Sequence, residues 1–141
     1  MSEPANDAGG ARVAGRLSAD YMLRSLKMLG ELSDGELLSA LISLAIVQAN
    51  VAHLEQDGGF RELDEPPPDE SRRPISILAI ANSLGLPYET TRRHVEKMIA
   101  AGQCVRVRGG VIVPTVALTT PRHREFVLAN LANLRRLYRS L

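Results

Sequence analysis

The sequence predicts a mainly α-helical fold with one small β-hairpin. Apolar residues recur three and four positions apart in several stretches, which is the spacing of one helix face. The runs CVRVR and VIVP, on either side of a glycine pair, have instead the β-branched composition of strands. With 141 residues, 45% of them hydrophobic and 23% charged, the chain has the composition of a soluble globular protein. This length suits one domain, or a small domain with helical extensions.

Residues 1–14 are expected to form a disordered tail. They begin MSEPANDAGG, which contains two acids and lacks the apolar core of a signal peptide. A first helix is predicted over about residues 16–29, and Gly30 is its expected stop. The apolar side of this helix consists of Leu17, Tyr21, Leu26 and Leu29.

A second helix is predicted from near Asp34 to about Glu55. Ser33 and Glu36 match a capping box at its start. Its apolar run, residues 37–54, approaches the roughly 20 residues needed to cross a bilayer. Because polar residues interrupt the run and acids flank it, burial in a protein or a dimer is predicted, with no membrane partner. Residues 15–56 are therefore assigned to a helical pair that forms a dimer.

An acidic, proline-rich linker is predicted over residues 57–73, and it separates halves of opposite charge. Residues 1–70 contain five Lys or Arg and 13 Asp or Glu, whereas residues 71–141 contain 12 and three, so the halves carry −8 and +9. Such asymmetry suggests that the basic half meets a polyanion. The alternative is that the halves neutralise each other within the fold. At the linker end, Arg72 and Arg73 could contact phosphate or simply be solvated.

A helix–turn–helix–hairpin unit is predicted over residues 74–115. Ser76 can cap a first helix, and Gly85 ends it because glycine accepts the left-handed conformation. Pro87 starts the next helix, over about residues 87–101. This helix is expected to bury Thr91, Val95 and Met98 and to end at Gly102.

The hairpin is expected over residues 103–114, with Gly109-Gly110 as its two-residue turn. Val105 and Val107 alternate with Arg106 and Arg108, which predicts one apolar and one basic face.

A C-terminal helix within residues 116–141 is predicted to start near Thr120 or Pro121. Its apolar residues are separated by four, three, four and three positions, which is typical of a helix that packs on a partner helix. They are Val127, Leu131, Leu134, Tyr138 and Leu141. We expect this segment to take part in dimerisation.

The order helix, glycine turn, helix and hairpin resembles the winged helix-turn-helix of transcriptional regulators. Ala81 lies four residues before the turn glycine, Leu86-Pro87 follows the turn, and Glu89-Thr90 opens the second helix. The stretch GQCVRVRGGVIV resembles the wing of bacterial GntR-type and DeoR-type regulators. Thr91 and Gln103 depart from this pattern, since both positions are commonly apolar. In size and layout the chain is similar to MarR-type regulators, so the expected fold is a winged helix-turn-helix flanked by N- and C-terminal dimerisation helices.

This resemblance implies a cytoplasmic, bacterial-type transcriptional regulator that binds double-stranded DNA as a homodimer. The recognition helix, residues 87–101, would enter the major groove, and the wing, residues 103–114, would contact the backbone or minor groove. If the predicted apolar face points inward, the candidate DNA-contacting residues are Tyr88, Glu89, Thr90, Arg92, Arg93, Lys97, Arg106 and Arg108. Glu89 could accept a hydrogen bond from cytosine, or it could hold Arg92 or Arg93 in place.

No enzymatic activity, cofactor or metal is predicted. The three histidines, His53, His94 and His123, lie on separate segments without metal-ligand spacing, and His94 is expected to be a half-buried packing residue. Cys104 is the single cysteine, which excludes an intramolecular disulfide; a redox role is the alternative to a packing role.

Two other functions remain open at this point. One is a winged-helix module that binds an acidic protein rather than DNA. The other is a regulator that senses a small-molecule effector in a pocket beside the helix of residues 33–55, lined by Gln48, Asn50 or His53.

Overall fold

The computed structural model describes residues 10–57 and 62–141, and it confirms a mainly helical fold with a two-stranded antiparallel sheet. The α-helices are α1 (Ala11–Leu32), α2 (Leu37–Val51), α3 (Ile77–Leu84), α4 (Tyr88–Ala100), α5 (Thr115–Leu118) and α6 (Pro121–Ser140). The strands are β1 (Val105–Val107) and β2 (Gly110–Ile112). Two 3-10 helices, Ala52–Asp57 and Asp69–Ser71, lie between α2 and α3.

Helix α1 is longer than predicted at both ends. Residues 11–14 are helical rather than disordered, while residues 1–9 lie outside the described part of the chain. Gly30 does not stop the helix, because a single helical glycine costs only about 1 kcal/mol relative to alanine and good helix formers surround it. The chain leaves the helical conformation at Asp34 and Gly35, which both have positive φ.

The predicted capping box of α2 is wrong. The hydroxyl of Ser33 donates backward to the carbonyl oxygen of Leu29, 2.8 Å away, and so satisfies the end of α1 instead. Helix α2 begins at Leu37, and Glu36 makes no side-chain cap bond. It ends at Val51, where the 3-10 helix takes over.

Helix α2 is the central element of the core. Its Ile42 and Ile46 are fully buried against α3, α4 and β2, while its Leu41 and Leu44 remain exposed. In the described part of the chain, Leu37–Leu54 is the segment long and apolar enough to cross a membrane by length and composition. Here it packs on protein along one side.

The predicted limits of α3 and α4 are confirmed. The hydroxyl of Ser76 accepts from the backbone N–H of Ala79, and Gly85 closes α3 with a φ of 66°. Helix α4 follows Pro87 and buries Thr91, Val95 and Met98. The Thr91 hydroxyl donates to the carbonyl oxygen of Pro87, one turn earlier, so the polar group is satisfied within the core.

The hairpin differs from its prediction by one residue. Val107 pairs with Gly110, so the turn consists of Arg108 and Gly109. Gly110 belongs to β2. The backbone of Ile75 forms an isolated antiparallel β-bridge with Val111 of the same strand. A Cβ on Gly110 would lie 2.2 Å from the carbonyl oxygen of Ile75, which explains why glycine is needed there.

Strand β1 does not bury an apolar face as predicted. Val105 and Val107 are both exposed, because no element in the described residues packs over them. The apolar contribution of the hairpin comes from β2 and the residue after it, where Val111 and Val113 are fully buried.

Helices α1 and α6 lie antiparallel and form a two-helix arm. The hydroxyl of Ser25 donates to Asn130, 3.0 Å away, and the amide of Asn133 donates to the carbonyl oxygen of Tyr21, 3.2 Å away. Helix α6 starts as predicted, with Thr120 capping the N–H of His123. The apolar residues of the arm that remain exposed are Val13, Met22, Leu23, Leu26, Leu128, Leu131, Leu134, Tyr138 and Leu141.

Candidate nucleic-acid interface

Helix α4 has a buried face and an exposed face. With Thr91, Val95 and Met98 in the core, the 3.6-residue period brings Arg93 to the opposite side, where it is exposed. Tyr88 lies at the border of the buried face and is exposed as the first residue of the helix. Glu89 and Lys97 are also exposed, whereas Thr90 and Arg92 are half-buried. Helix α4 therefore presents most of its predicted candidate residues outward.

Glu89 and Arg92 form a bidentate ion pair on this surface. Nε of Arg92 lies 3.1 and 3.2 Å from the two carboxylate oxygens of Glu89, and Nη2 lies 3.0 Å from Oε2. The hydrogen bond from Arg92 lowers the pKa of Glu89, and the same bond raises the pKa of Arg92. The sequence left Arg92 and Arg93 as possible partners of Glu89. In the structure the carboxylate of Glu89 pairs with Arg92.

A second ion pair joins α4 to the hairpin. The guanidinium of Arg106 in β1 donates to the carboxylate of Glu96 in α4. Sequence reasoning missed Glu96, because the two residues are ten positions apart with a turn between them. The available signal was an acid seven residues after Glu89, two helical turns along the same face.

Three other basic candidates form no ion pair, since no described carboxylate lies within 4.0 Å of their charged groups. They are Arg93 on α4, Lys97 in its last turn, and Arg108 in the hairpin turn. All three side chains are exposed. They are therefore free to attract an anion outside the protein.

Arg72 cannot contact phosphate. Its side chain is 1% exposed, and Nη2 donates to the carbonyl oxygen of Pro67 and to the hydroxyl of Thr115, while Asp69 lies 3.7 Å from Nε. Burial lowers the pKa of its guanidinium. Through these bonds Arg72 connects the end of the acidic segment to the first residue of α5. The neighbouring Arg73 remains exposed.

Part of the basic half is neutralised by the acidic half, as in the alternative considered from the sequence. Arg122 pairs with Asp34 at 2.8 Å, Arg124 with Asp64 at 2.5 Å, and Arg136 lies 4.0 Å from Asp20. These contacts involve α6 rather than α4. No described carboxylate pairs with Arg93, Lys97 and Arg108 at α4 and the hairpin turn, nor with the exposed Arg73, Arg135 and Arg139 elsewhere in the basic half.

A cavity of about 580 Å³ lies between α1, α2, the C-terminal end of α4 and the start of α6. Gln48 lines it as predicted, but Asn50 and His53 do not. Asn50 is fully buried and bonds to the backbone of Arg73, Val111 and Val113. His53 lies 2.8 Å from the carbonyl oxygen of Ser71. Both are therefore structural.

The cavity wall includes residues that the sequence did not indicate, because their neighbours come from distant segments. His123 and Phe126 of α6 line it together with Leu44 and Val47 of α2. Burial lowers the pKa of His123, which favours its neutral form. Lys97 borders the same cavity at the end of α4.

His94 is half-buried, as predicted, and its Nδ1 lies 3.1 Å from the hydroxyl of Ser39. Cys104 is buried, and burial raises the pKa of its thiol to about 11. Across residues 10–57 and 62–141, no group of three or more His, Cys, Asp or Glu is arranged to hold a metal ion.

Taken together, the exposed side of α4 and the hairpin turn form a surface of arginine, lysine and tyrosine side chains with two internal carboxylates. The chain matches no protein-family model, no curated protein and no solved structure.

Proposed function

We propose that this protein is a sequence-specific transcriptional regulator that binds double-stranded DNA as a homodimer. In this proposal α3, α4 and the hairpin form a winged helix-turn-helix, with α4 as the recognition helix and the hairpin as the wing. One observation carries it: α4 is held in the core by Thr91, Val95 and Met98, and it presents Arg92 and Arg93 on its outer side.

The chemistry of this surface suits DNA. The major groove admits one α-helix, and side chains near the N-terminus of that helix reach base edges. Arg92 and Arg93 lie in the second turn of α4, and arginine can donate two hydrogen bonds to guanine. Arg108, exposed in the hairpin turn, has the charge needed for a phosphate contact.

The two-helix arm supports the homodimer. Leu131, Leu134 and Tyr138 repeat along α6 and remain exposed, and Met22 and Leu26 of α1 are exposed beside them. An exposed apolar surface of this kind is typical of an interface. A second arm packed on the first would form a four-helix bundle and relate the two recognition helices by a two-fold axis. A cytoplasmic location follows from this function.

The experiment is DNA binding by a variant in which Arg92 and Arg93 are both alanine. We expect the natural sequence to bind a labelled duplex at low salt, with affinity falling steeply as salt rises. The double variant should lose at least about tenfold in affinity, and its salt slope should fall by roughly two. R135A/R139A removes the same charge from α6, whose Arg135 and Arg139 are exposed, and serves as the matched control.

Two outcomes would contradict the proposal. Normal duplex binding by R92A/R93A would exclude α4 as the recognition helix. No binding by the natural sequence, even at low salt, would favour the winged-helix module that docks an acidic protein.

The cavity favours a second candidate function, an effector-sensing form of the same regulator. Its volume of about 580 Å³ is within the roughly 300–1,000 Å³ of small-molecule sites. Leu44, Val47 and Phe126 give it an apolar wall, and the neutral form of His123 is favoured. An uncharged, mainly apolar compound suits this lining.

Nile red, an uncharged apolar dye, can test the cavity. Substituting Ala117, which lines it, with tryptophan should weaken dye binding about tenfold by filling the space. Ala129→Trp, at an exposed position of α6 outside the lining, is the control. Equal binding by both variants would locate the dye elsewhere, for example on the exposed apolar residues of the arm.

A further inference from the structure

The ion pair between Glu96 and Arg106 connects two parts of the proposed DNA-binding surface. Glu96 lies on α4 and Arg106 on β1, and their side chains are 44% and 54% exposed. The backbone of β1 pairs with β2, and Val105 and Val107 point away from the core. The pair is therefore a side-chain connection between the recognition helix and the outer strand of the wing.

We propose that Glu96 is a specificity-determining residue that acts through Arg106. In the free protein it neutralises Arg106 and weakens the attraction of the wing to any DNA backbone. At a fitting site Arg106 exchanges the carboxylate of Glu96 for a DNA phosphate. This inference rests on the proposed DNA-binding function.

The charge balance of the surface explains why one carboxylate matters. The surface carries five cationic side chains, of which Arg92 and Arg106 are held by Glu89 and Glu96. Arg93, Lys97 and Arg108 are left to attract phosphate. Non-specific binding comes almost entirely from such charges, and its salt dependence scales with the number of phosphates neutralised. Holding Arg106 therefore lowers non-specific binding directly.

Specific binding is lowered less by the same pair. A fitting site adds contacts between α4 and base edges, and these contacts set the position of the wing against one particular phosphate. Once Arg106 is positioned there, it exchanges the carboxylate of Glu96 for the phosphate with little net change in free energy. The ratio of specific to non-specific affinity therefore increases when Glu96 is present.

Glu96 can be changed without unfolding the protein. An ion pair between half-exposed side chains contributes little to folding stability, because water screens the charges and both side chains lose freedom. Glu96→Gln retains the size and a hydrogen-bond acceptor, and it removes the charge. Glu125→Gln makes the same change at an exposed position of α6 that forms no ion pair with a described residue.

The test is a fluorescence-anisotropy titration of a labelled random-sequence duplex, with salt varied from about 50 to 200 mM. We expect E96Q to bind this duplex roughly three- to tenfold more tightly than the natural sequence, with a salt slope steeper by about 0.9. E125Q should remain within about twofold. In the R106A background, E96Q should have a much smaller effect, which a double-mutant cycle measures.

A structural role alone would give a different result. If Glu96 only braced the hairpin, E96Q would speed hydrogen exchange in β1 without tightening DNA binding, and that result would overturn the inference. An equal effect of E96Q with and without Arg106 would also overturn it, because Glu96 would then act as a general charge. In both cases the natural sequence still binds DNA. If it binds no duplex at low salt, the proposed function itself is wrong.

Discussion

The carboxylate of Glu89 accepts hydrogen bonds from both Nε and Nη2 of Arg92, at 3.0 to 3.2 Å. The two residues are three positions apart in the first turns of α4, so the helix itself sets this geometry. Arg92 is therefore oriented before any partner arrives. In a DNA complex, the same carboxylate would be close enough to the bases to affect which of them Arg92 contacts.

We predict that Glu89→Gln changes base preference at one or two adjacent positions of the bound site. A glutamate beside the groove favours cytosine amines and disfavours acceptor groups, and its loss should reduce discrimination there by about 1–3 kcal/mol. Selection of bound duplexes from a random pool measures this. E125Q is the control. An unchanged selected sequence would mean that Glu89 only holds Arg92.

The arm is predicted to be the dimer interface. Leu134 is 47% exposed on α6, and Leu134→Glu would bury a carboxylate between two apolar surfaces, which costs several kcal/mol unless the group is paired. We expect the mass measured by sedimentation to fall by about half. Leu78→Glu, at a 56% exposed position of α3, should leave the mass unchanged. A natural sequence that sediments as a monomer would contradict the prediction.

Asn50 is predicted to be essential for stability. Its amide donates to the carbonyl oxygens of Arg73 and Val111, and its Oδ1 accepts from the N–H of Val113, so one side chain fastens α2 to the start of the α3 segment and to β2. Asn50→Ala removes the side-chain partner of the Arg73 carbonyl and of the Val113 N–H, whereas the Val111 carbonyl keeps the N–H of Ile75. The change should lower the free energy of unfolding by about 3 kcal/mol. Urea denaturation measures this. Gln48→Ala, on the exposed side of α2, should change it by less than about 0.5 kcal/mol.

Local chemistry made α3 predictable, whereas long-range contacts determined much of the rest. Ser76 and Gly85 fix the ends of α3 through bonds within a few residues, and the sequence shows both. Gly30 resembles the same stop signal, yet α1 continues through it because one helical glycine costs little among good helix formers. The spacing from Glu89 could place Glu96 on the outer face of α4, but its pairing with Arg106 and the cavity depend on where separate segments meet.

The glycines at 30 and 110 are predicted to respond in opposite ways to alanine. Gly30 is helical, and a Cβ there would meet no atom within 4 Å. Gly30→Ala should therefore stabilise the protein by about 0.5–1 kcal/mol, because alanine lowers the conformational entropy of the unfolded chain. At Gly110 a Cβ would clash with the backbone of Ile75, and Gly110→Ala should destabilise it by more than that gain. Thermal unfolding of the two variants tests both signs. Similar melting shifts would contradict the assigned roles.

Cys104 is predicted to be unreactive in the folded protein, which argues against a redox role. The residue is 1% exposed, and burial raises the pKa of its thiol to about 11, so the reactive thiolate is scarce at neutral pH. Disulfide-exchange reagents should modify the native protein at least about 100-fold more slowly than the urea-unfolded chain.

The pH dependence of Cys104 has a definite sign. Because its pKa is higher in the folded state than in the unfolded state, burial of the neutral thiol stabilises the fold fully below about pH 9. This contribution is lost as the pH rises toward 11, where the unfolded chain releases the proton first. Cys104→Ala should therefore show a smaller fall in stability over that range than the natural sequence. Rapid modification of the native thiol at neutral pH would instead indicate that β1 and α4 separate readily at this position.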